Sequence, residues 1–134
     1  EAKIIHNARK INDYKADWVV ERIKNEILEF QLNNNRKPKV ALMGLAFKPD
    51  IDDLRESPAI YVTNKITQFD KAEYLIVEPN INGDAEIKYN LVDYADAYEE
   101  ADIVVFLVAH REFRTIEKDN KKAELDFCGA RKAN

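Results

Sequence analysis

The run Ile103-Val104-Val105-Phe106-Leu107-Val108 constrains this chain most. It is rich in β-branched residues, which favour a strand, and it never alternates with polar positions. Successive side chains of a strand point to opposite faces of its sheet. A run that is apolar throughout therefore needs cover on both faces, as in a parallel sheet packed between helices. Lys39-Val40-Ala41-Leu42-Met43-Gly44 and Tyr74-Leu75-Ile76-Val77 read as two more such strands. Residues 87–92 are a candidate for a short strand, and Glu124 to Phe127 for a last one. Ser57-Pro58 opens a helix, because Ser suits the N-cap and Pro the first helical position. Ala59, Ile60, Thr63, Ile66 and Phe69 supply its inner face. Tyr94 to Ala101 reads as a second short helix. This order predicts an α/β fold, a Rossmann-like open and mostly parallel sheet with flanking helices.

Ahead of the sheet, Ala2 to about Asn33 has apolar residues at helical spacing: Ile4, Ala8, Ile11, Trp18 or Val19, Ile23, Ile27 and Phe30. Asn12-Asp13 leaves open whether this is one helix or two. A continuous helix would be about 45 Å long, more than a small α/β domain needs. Two readings stand side by side: a core helix with a frayed end, or a connector to another domain or partner. The chain begins without Met and inside this pattern, so a piece of a longer protein is expected.

Length and charge narrow the function classes. The 134 residues suit about one domain, and the net charge is −4. A nucleic-acid binder would show a basic stripe, which is absent. No apolar run approaches the roughly 18 residues of a membrane span, and no signal-peptide pattern is visible. Cys128 is the single cysteine, so no disulfide within the chain and no cysteine-based metal site can form. The expectation is a cytoplasmic protein with neither nucleic acid nor membrane as partner.

In such sheets ligands bind beyond the carboxyl ends of the strands. That rule selects loops 44–57, 78–83, 109–114 and 128–131. The first is the most informative. Gly44-Leu45-Ala46-Phe47-Lys48-Pro49-Asp50-Ile51-Asp52-Asp53-Leu54-Arg55-Glu56-Ser57-Pro58 has one glycine, so it is neither GxGxxG nor a P-loop. It should not cradle a dinucleotide pyrophosphate in the usual way. It does put Lys48 and Arg55 near a strand end and a helix start, where an anion is favoured. Arg grips phosphate bidentately and Lys supplies a point charge. On the residues alone, a salt-bridged surface turn fits as well. Asp50, Asp52 and Asp53 are expected to bond the loop's own amides rather than a metal, because an EF-hand would need Gly where Arg55 stands and Glu where Tyr61 stands. Asp52-Asp53 also imitates the acidic pair of a signalling receiver, but no Asp follows the clearest strand at Val108-Ala109-His110.

The stretch from Gly44 to Ala59 resembles the signature that opens the C-terminal domain of the UDP-glucose/GDP-mannose dehydrogenase family. Ala8-Arg9-Lys10-Ile11-Asn12-Asp13 resembles the helix leaving that family's central domain. Val77-Glu78-Pro79-Asn80-Ile81 and Leu107-Val108-Ala109-His110-Arg111-Glu112-Phe113 resemble stretches of the members that act on UDP-N-acetyl-mannosamine. The matches run in order over nearly the whole chain. The resemblance implies an enzyme that oxidises a sugar C6 hydroxyl to a carboxylate with NAD, for surface polysaccharide synthesis. It implies a UDP-sugar as partner and a homo-oligomeric intact protein. It divides the chain into a connecting helix over 1–35 and a UDP-sugar-binding domain over 36–134. UDP-glucose, UDP-N-acetyl-glucosamine and GDP-mannose remain alternative substrates.

The same resemblance assigns residues. Phe47 and Lys48 match nucleotide-contacting positions, with Lys48 near the diphosphate. Arg55 matches an arginine that reaches the NAD pyrophosphate, and Arg131 a nucleotide-contacting arginine. The catalytic cysteine and the domain holding most of NAD are expected upstream of Glu1, which would leave this piece inactive alone. Cys128 is expected to be a structural thiol and His6 a surface residue. His110 ends the strongest strand, with a substrate-side or loop-orienting role set against a purely structural one.

Overall fold

The computed structural model describes the backbone of residues 2–45, 57–80 and 89–131, and side chains within those ranges from residue 15 onward. Eight elements follow in chain order: α1 (Ala2–Asn34), β1 (Lys39–Met43), α2 (Pro58–Ile66), β2 (Glu73–Val77), α3 (Tyr94–Glu100), β3 (Ile103–Phe106), α4 (Arg111–Arg114) and β4 (Ala123–Asp126). The strands form one all-parallel sheet in the order β2-β1-β3-β4. The chain thus starts in the middle, moves to one edge through α2, and returns past β1 to build the other side. That reversal between β1 and β3 is where an α/β sheet opens its binding crevice.

Both faces of the central strands are covered, as the unbroken apolar runs required. Ile103 and Val105 pack with Val40 and Leu42 against α1 and α2. Val104 and Phe106 pack with Ala41 and Met43 on the opposite side, among Ala97 and Tyr98 of α3 and Phe113 of α4. All eight of these strand side chains are fully buried.

α1 is one helix of 33 residues, and Asn12-Asp13 does not break it. It is about 50 Å long at 1.5 Å per residue. Its second half belongs to the core: Ala16, Val19, Val20, Ile23 and Ile27 are buried there. The Tyr61 hydroxyl of α2 donates to Asp17 of α1. Just past the helix Asn35 takes a positive φ of 53°, and the chain exit is held by Arg36, gripping Asp102 through two hydrogen bonds of 2.8 and 3.0 Å.

Three expectations need correction. Over residues 87–92, the described part contributes only a single parallel bridge from Leu91 to Ile76 rather than a strand. The strongest run ends as a strand at Phe106, two residues early: the Leu107 N–H makes the last ladder bond, to the Met43 carbonyl, and the Val108 N–H turns to that same carbonyl instead of continuing the ladder. A short helix, α4, follows where a plain loop was expected.

Candidate functional site: the carboxyl edge of the sheet

The edge is built around Gly44. Its φ is +107°, and a Cβ there would stand 2.6 Å from Val108 Cβ. Only glycine lets the chain leave β1 so close to the segment leaving β3. Leu45 follows, nearly fully buried. Both of its backbone groups are taken by side chains: its N–H donates to Glu78 Oε1 at 2.8 Å, and its carbonyl accepts from the Ser57 hydroxyl. Ser57 is also the N-cap of α2, accepting from the Ala59 and Ile60 amides at 3.1 and 3.4 Å. The Ser-Pro helix start read from the sequence is therefore observed. Leu45 and Ser57, which bracket segment 46–56, are thereby tied to each other.

Glu78 is the hub. Besides Leu45, it accepts the Asn80 amide at 3.0 Å on Oε2, and His110 Nε2 sits astride the carboxylate, 3.0 Å from Oε1 and 2.9 Å from Oε2. The side chains of Glu78 and His110 are fully buried. Asn80 Nδ2 lies 2.9 Å from His110 Nδ1. With Asn80 donating to Nδ1 and Nε2–H donating to the carboxylate, the network assigns one imidazole tautomer. Burial alone would raise the Glu78 pKa, but the hydrogen bonds from His110, Leu45 and Asn80 outweigh it and hold the carboxyl below its ordinary range. One carboxylate thus joins the segments leaving β1, β2 and β3.

A second cluster lies beyond β4. Arg131 holds Glu124 bidentately, through Nε at 3.1 Å and Nη2 at 2.7 Å. Its Nη1 donates to the Ile116 carbonyl and lies 3.5 Å from that of Phe113. Its guanidinium sits over the rings of Phe106 and Tyr98 at 5.2 and 5.5 Å. The Tyr98 hydroxyl completes the group with a 2.6 Å bond to Glu124. The Glu124 hydrogen bond raises the Arg131 pKa, so the cation is fixed. Asp126 accepts the amides of Cys128, Ala130 and Arg131, which shapes the turn that delivers this arginine.

Of the residues singled out in the sequence, His110 and Arg131 are brought to the same edge and both meet Phe113: the His110 ring packs on its ring at 5.5 Å, and Arg131 Nη1 lies 3.5 Å from its carbonyl. Phe47, Lys48 and Arg55 lie outside the described residues, as does the side chain of His6. Cys128 is exposed, with its Sγ 3.5 Å from the Phe106 carbonyl and 3.7 Å from Asp126 Oδ1, and partial desolvation followed by the Asp126 charge raises its pKa. Glu78 escaped the residue-by-residue reading, although a carboxylate directly after an apolar strand was the signal that could have found it. Near the same edge, a groove of about 240 Å³ opens between α1 and α2, lined by Ala16, Val19, Pro58, Val62, Leu107 and Phe127. Among the described residues no group of three or more His, Cys, Asp and Glu is placed to hold a metal, and no helix is long and apolar enough to cross a membrane.

A parallel sheet with a switch point at β1 and β3, and a polar knot at its carboxyl edge, defines a Rossmann-like ligand-binding domain. Residues 41–130 match the model of the UDP-glucose/GDP-mannose dehydrogenase family, UDP binding domain, and the chain belongs to that family. It is 45% identical over 133 residues to a UDP-N-acetyl-D-mannosamine dehydrogenase of Campylobacter jejuni, covering 96% of this chain and 31% of the relative. The counterpart from Yersinia pestis is 41% identical over 129 residues, covering 92% and 31%. Among solved structures, the UDP-N-acetyl-mannosamine dehydrogenase Cap5O of Staphylococcus aureus superposes with a TM-score of 0.74 at 26% identity, covering 99% of this chain and 31% of that one. The chain thus spans about three-tenths of the length of these relatives.

Proposed function

We propose that this chain binds the UDP part of a nucleotide sugar at the carboxyl edge of its sheet. In our reading it serves an NAD-dependent enzyme that oxidises the C6 hydroxyl of UDP-N-acetyl-D-mannosamine to a carboxylate. The observation that carries this is the family match over residues 41–130, which takes in the last three residues of β1, all of β2, β3 and β4, and the switch point. The sugar is inferred from relatives that bear that name at about 40% identity.

The role is one of position. Lys48 meets the diphosphate, Phe47 and Arg131 contact the nucleotide, and Arg55 reaches toward NAD from this side. Arg131 has most of its donors on Glu124, Ile116 and Phe113. It therefore offers a fixed positive face rather than a free fork. His110, enclosed behind Glu78, orients the segment after β3. Holding a remote diphosphate contributes to orientation at the sugar hydroxyl, where the reaction occurs.

Gly44 and Leu45, the described start of the turn after β1, offer a dinucleotide no open N–H. A dinucleotide site there needs backbone N–H groups open to a pyrophosphate. Here the Leu45 N–H is taken by Glu78, and the buried carboxylate would repel the phosphates. We infer that residues beyond this chain hold NAD and supply the catalytic cysteine, so that the chain alone transfers no hydride.

The test is to titrate the chain with UDP, and separately with NAD, following amide shifts by NMR. UDP should shift resonances in 44–57, 107–110 and 128–131, with little response to NAD. Lys48→Ala should weaken UDP binding by about tenfold, the scale of one hydrogen bond to a charged group. An unchanged UDP affinity in that variant would refute the assignment of Lys48.

A further inference from the structure

We propose that Glu78 is a positioning residue for the nucleotide-sugar site, acting through Leu45, Asn80 and His110 without touching the ligand. The inference rests on the UDP-binding reading above.

Three observations carry it. First, Glu78 bonds to three different strand exits: Leu45 after β1, Asn80 after β2 and His110 after β3. Those exits are the ones a parallel sheet uses for ligands. Second, it fixes one end of a clamp. Glu78 holds the Leu45 N–H while Ser57 holds the Leu45 carbonyl. The two residues bracketing segment 46–56 are thus set relative to the segments after β2 and β3. Third, the ionised side chain is fully buried, so its desolvation has to be offset by its partners. A buried carboxylate requires full pairing, and a well-packed apolar group of similar volume is often no less stable. Stability alone gives little reason for a charge here. A single acceptor for three N–H donors from three segments does give one, because no neutral side chain offers that many lone pairs without a donor of its own.

Substitution separates this role from a purely structural one. In Glu78→Gln one amide N–H must face a donor, so one of the three bonds breaks while the volume stays. His110→Ala removes the imidazole, and His110→Gln restores an N–H that can reach the carboxylate. UDP affinity is measured by titration on folded protein, checked by unchanged amide shifts in the core of α1 and β1. Hydrogen exchange at the Leu45 amide is followed in parallel. Glu78→Gln and His110→Ala should each weaken UDP binding by about tenfold, as loss of a charge-assisted bond predicts. Leu45 exchange should quicken while the β1 and β3 amides stay protected. His110→Gln should recover part of the affinity lost in His110→Ala, and that pair carries the test if Glu78→Gln does not fold.

Other outcomes overturn the proposal in distinguishable ways. If the unsubstituted chain binds UDP and Glu78→Gln binds it equally well, positioning by Glu78 is wrong and the UDP reading stands. If His110→Ala loses affinity while Glu78→Gln does not, His110 meets the ligand itself. If the unsubstituted chain shows no UDP response, the binding reading fails and this inference falls with it.

Discussion

Gly44 shows how one residue sets the geometry of the edge. An alanine there carries two costs: a φ of +107° that L-residues rarely adopt, and a Cβ 2.6 Å from Val108 Cβ. Backbone strain and overpacking each cost about 1–3 kcal/mol, so Gly44→Ala should destabilise the chain by about 3 kcal/mol in urea unfolding. A loss under about 1 kcal/mol would mean that the β1 and β3 exits can separate freely. The need for Gly44 was visible in the sequence only as a glycine ending an apolar run. The part of the site that could be read early was the part with a local pattern, such as the Ser57-Pro58 helix start. Glu78 and His110 lie 32 residues apart in the chain and meet only through the parallel sheet. Glu124 was legible only as a strand residue, and Arg131 as a nucleotide-contacting cation through the family resemblance. Their bidentate pair depends on the turn shaped by Asp126.

At the scale of elements, α1 tests how far a helix read as a connector also belongs to the domain. Ile23 and Ile27 are fully buried against α2 and the sheet, whereas Leu32 on the last turn is 86% exposed. Ile27→Ala should cost about 3 kcal/mol, the usual range for a large aliphatic truncated in a core. Leu32→Ala should change stability by no more than about 0.5 kcal/mol. Equal small effects on thermal unfolding would show α1 to be dispensable to the core. The central strands β1 and β3 were readable because full burial removes alternation, and the sheet confirms that cause with apolar neighbours on both faces. Ends were harder to read. Leu107 and Val108 look like strand residues but bond to Met43 as β3 peels away, and no local pattern in the sequence encodes that departure. α4 spans four residues, too few for helical periodicity to register.

For the whole molecule, the ionised carboxylates act as ties between elements, and they make stability depend on acid. Asp102 joins the end of α1 to the start of β3, with Arg36 as its main partner and the Lys39 amide as another. Glu78 joins the exits of three strands, and Glu124 joins β4 to Arg131 and α3. Asp126 closes the last turn. For Asp102 the Arg36 hydrogen bond is the largest influence and lowers its pKa. For Glu78, Glu124 and Asp126 burial raises the pKa, but the hydrogen bonds outweigh it and the net shift is again downward. A folded-state pKa below the unfolded one means that the unfolded chain binds protons first as pH falls. The stabilisation is therefore complete above the ordinary carboxylate range, near pH 4, and is lost as pH drops through the lowered folded values. The denaturant midpoint should be flat from about pH 7 to pH 5 and fall steeply toward about pH 3. Asp102→Asn should make that fall shallower, because one of the linked protons is gone, while lowering stability at neutral pH. A midpoint that held constant down to about pH 3 would mean that folding does not lower these pKa values. The ties would then be contacts of shape rather than of charge.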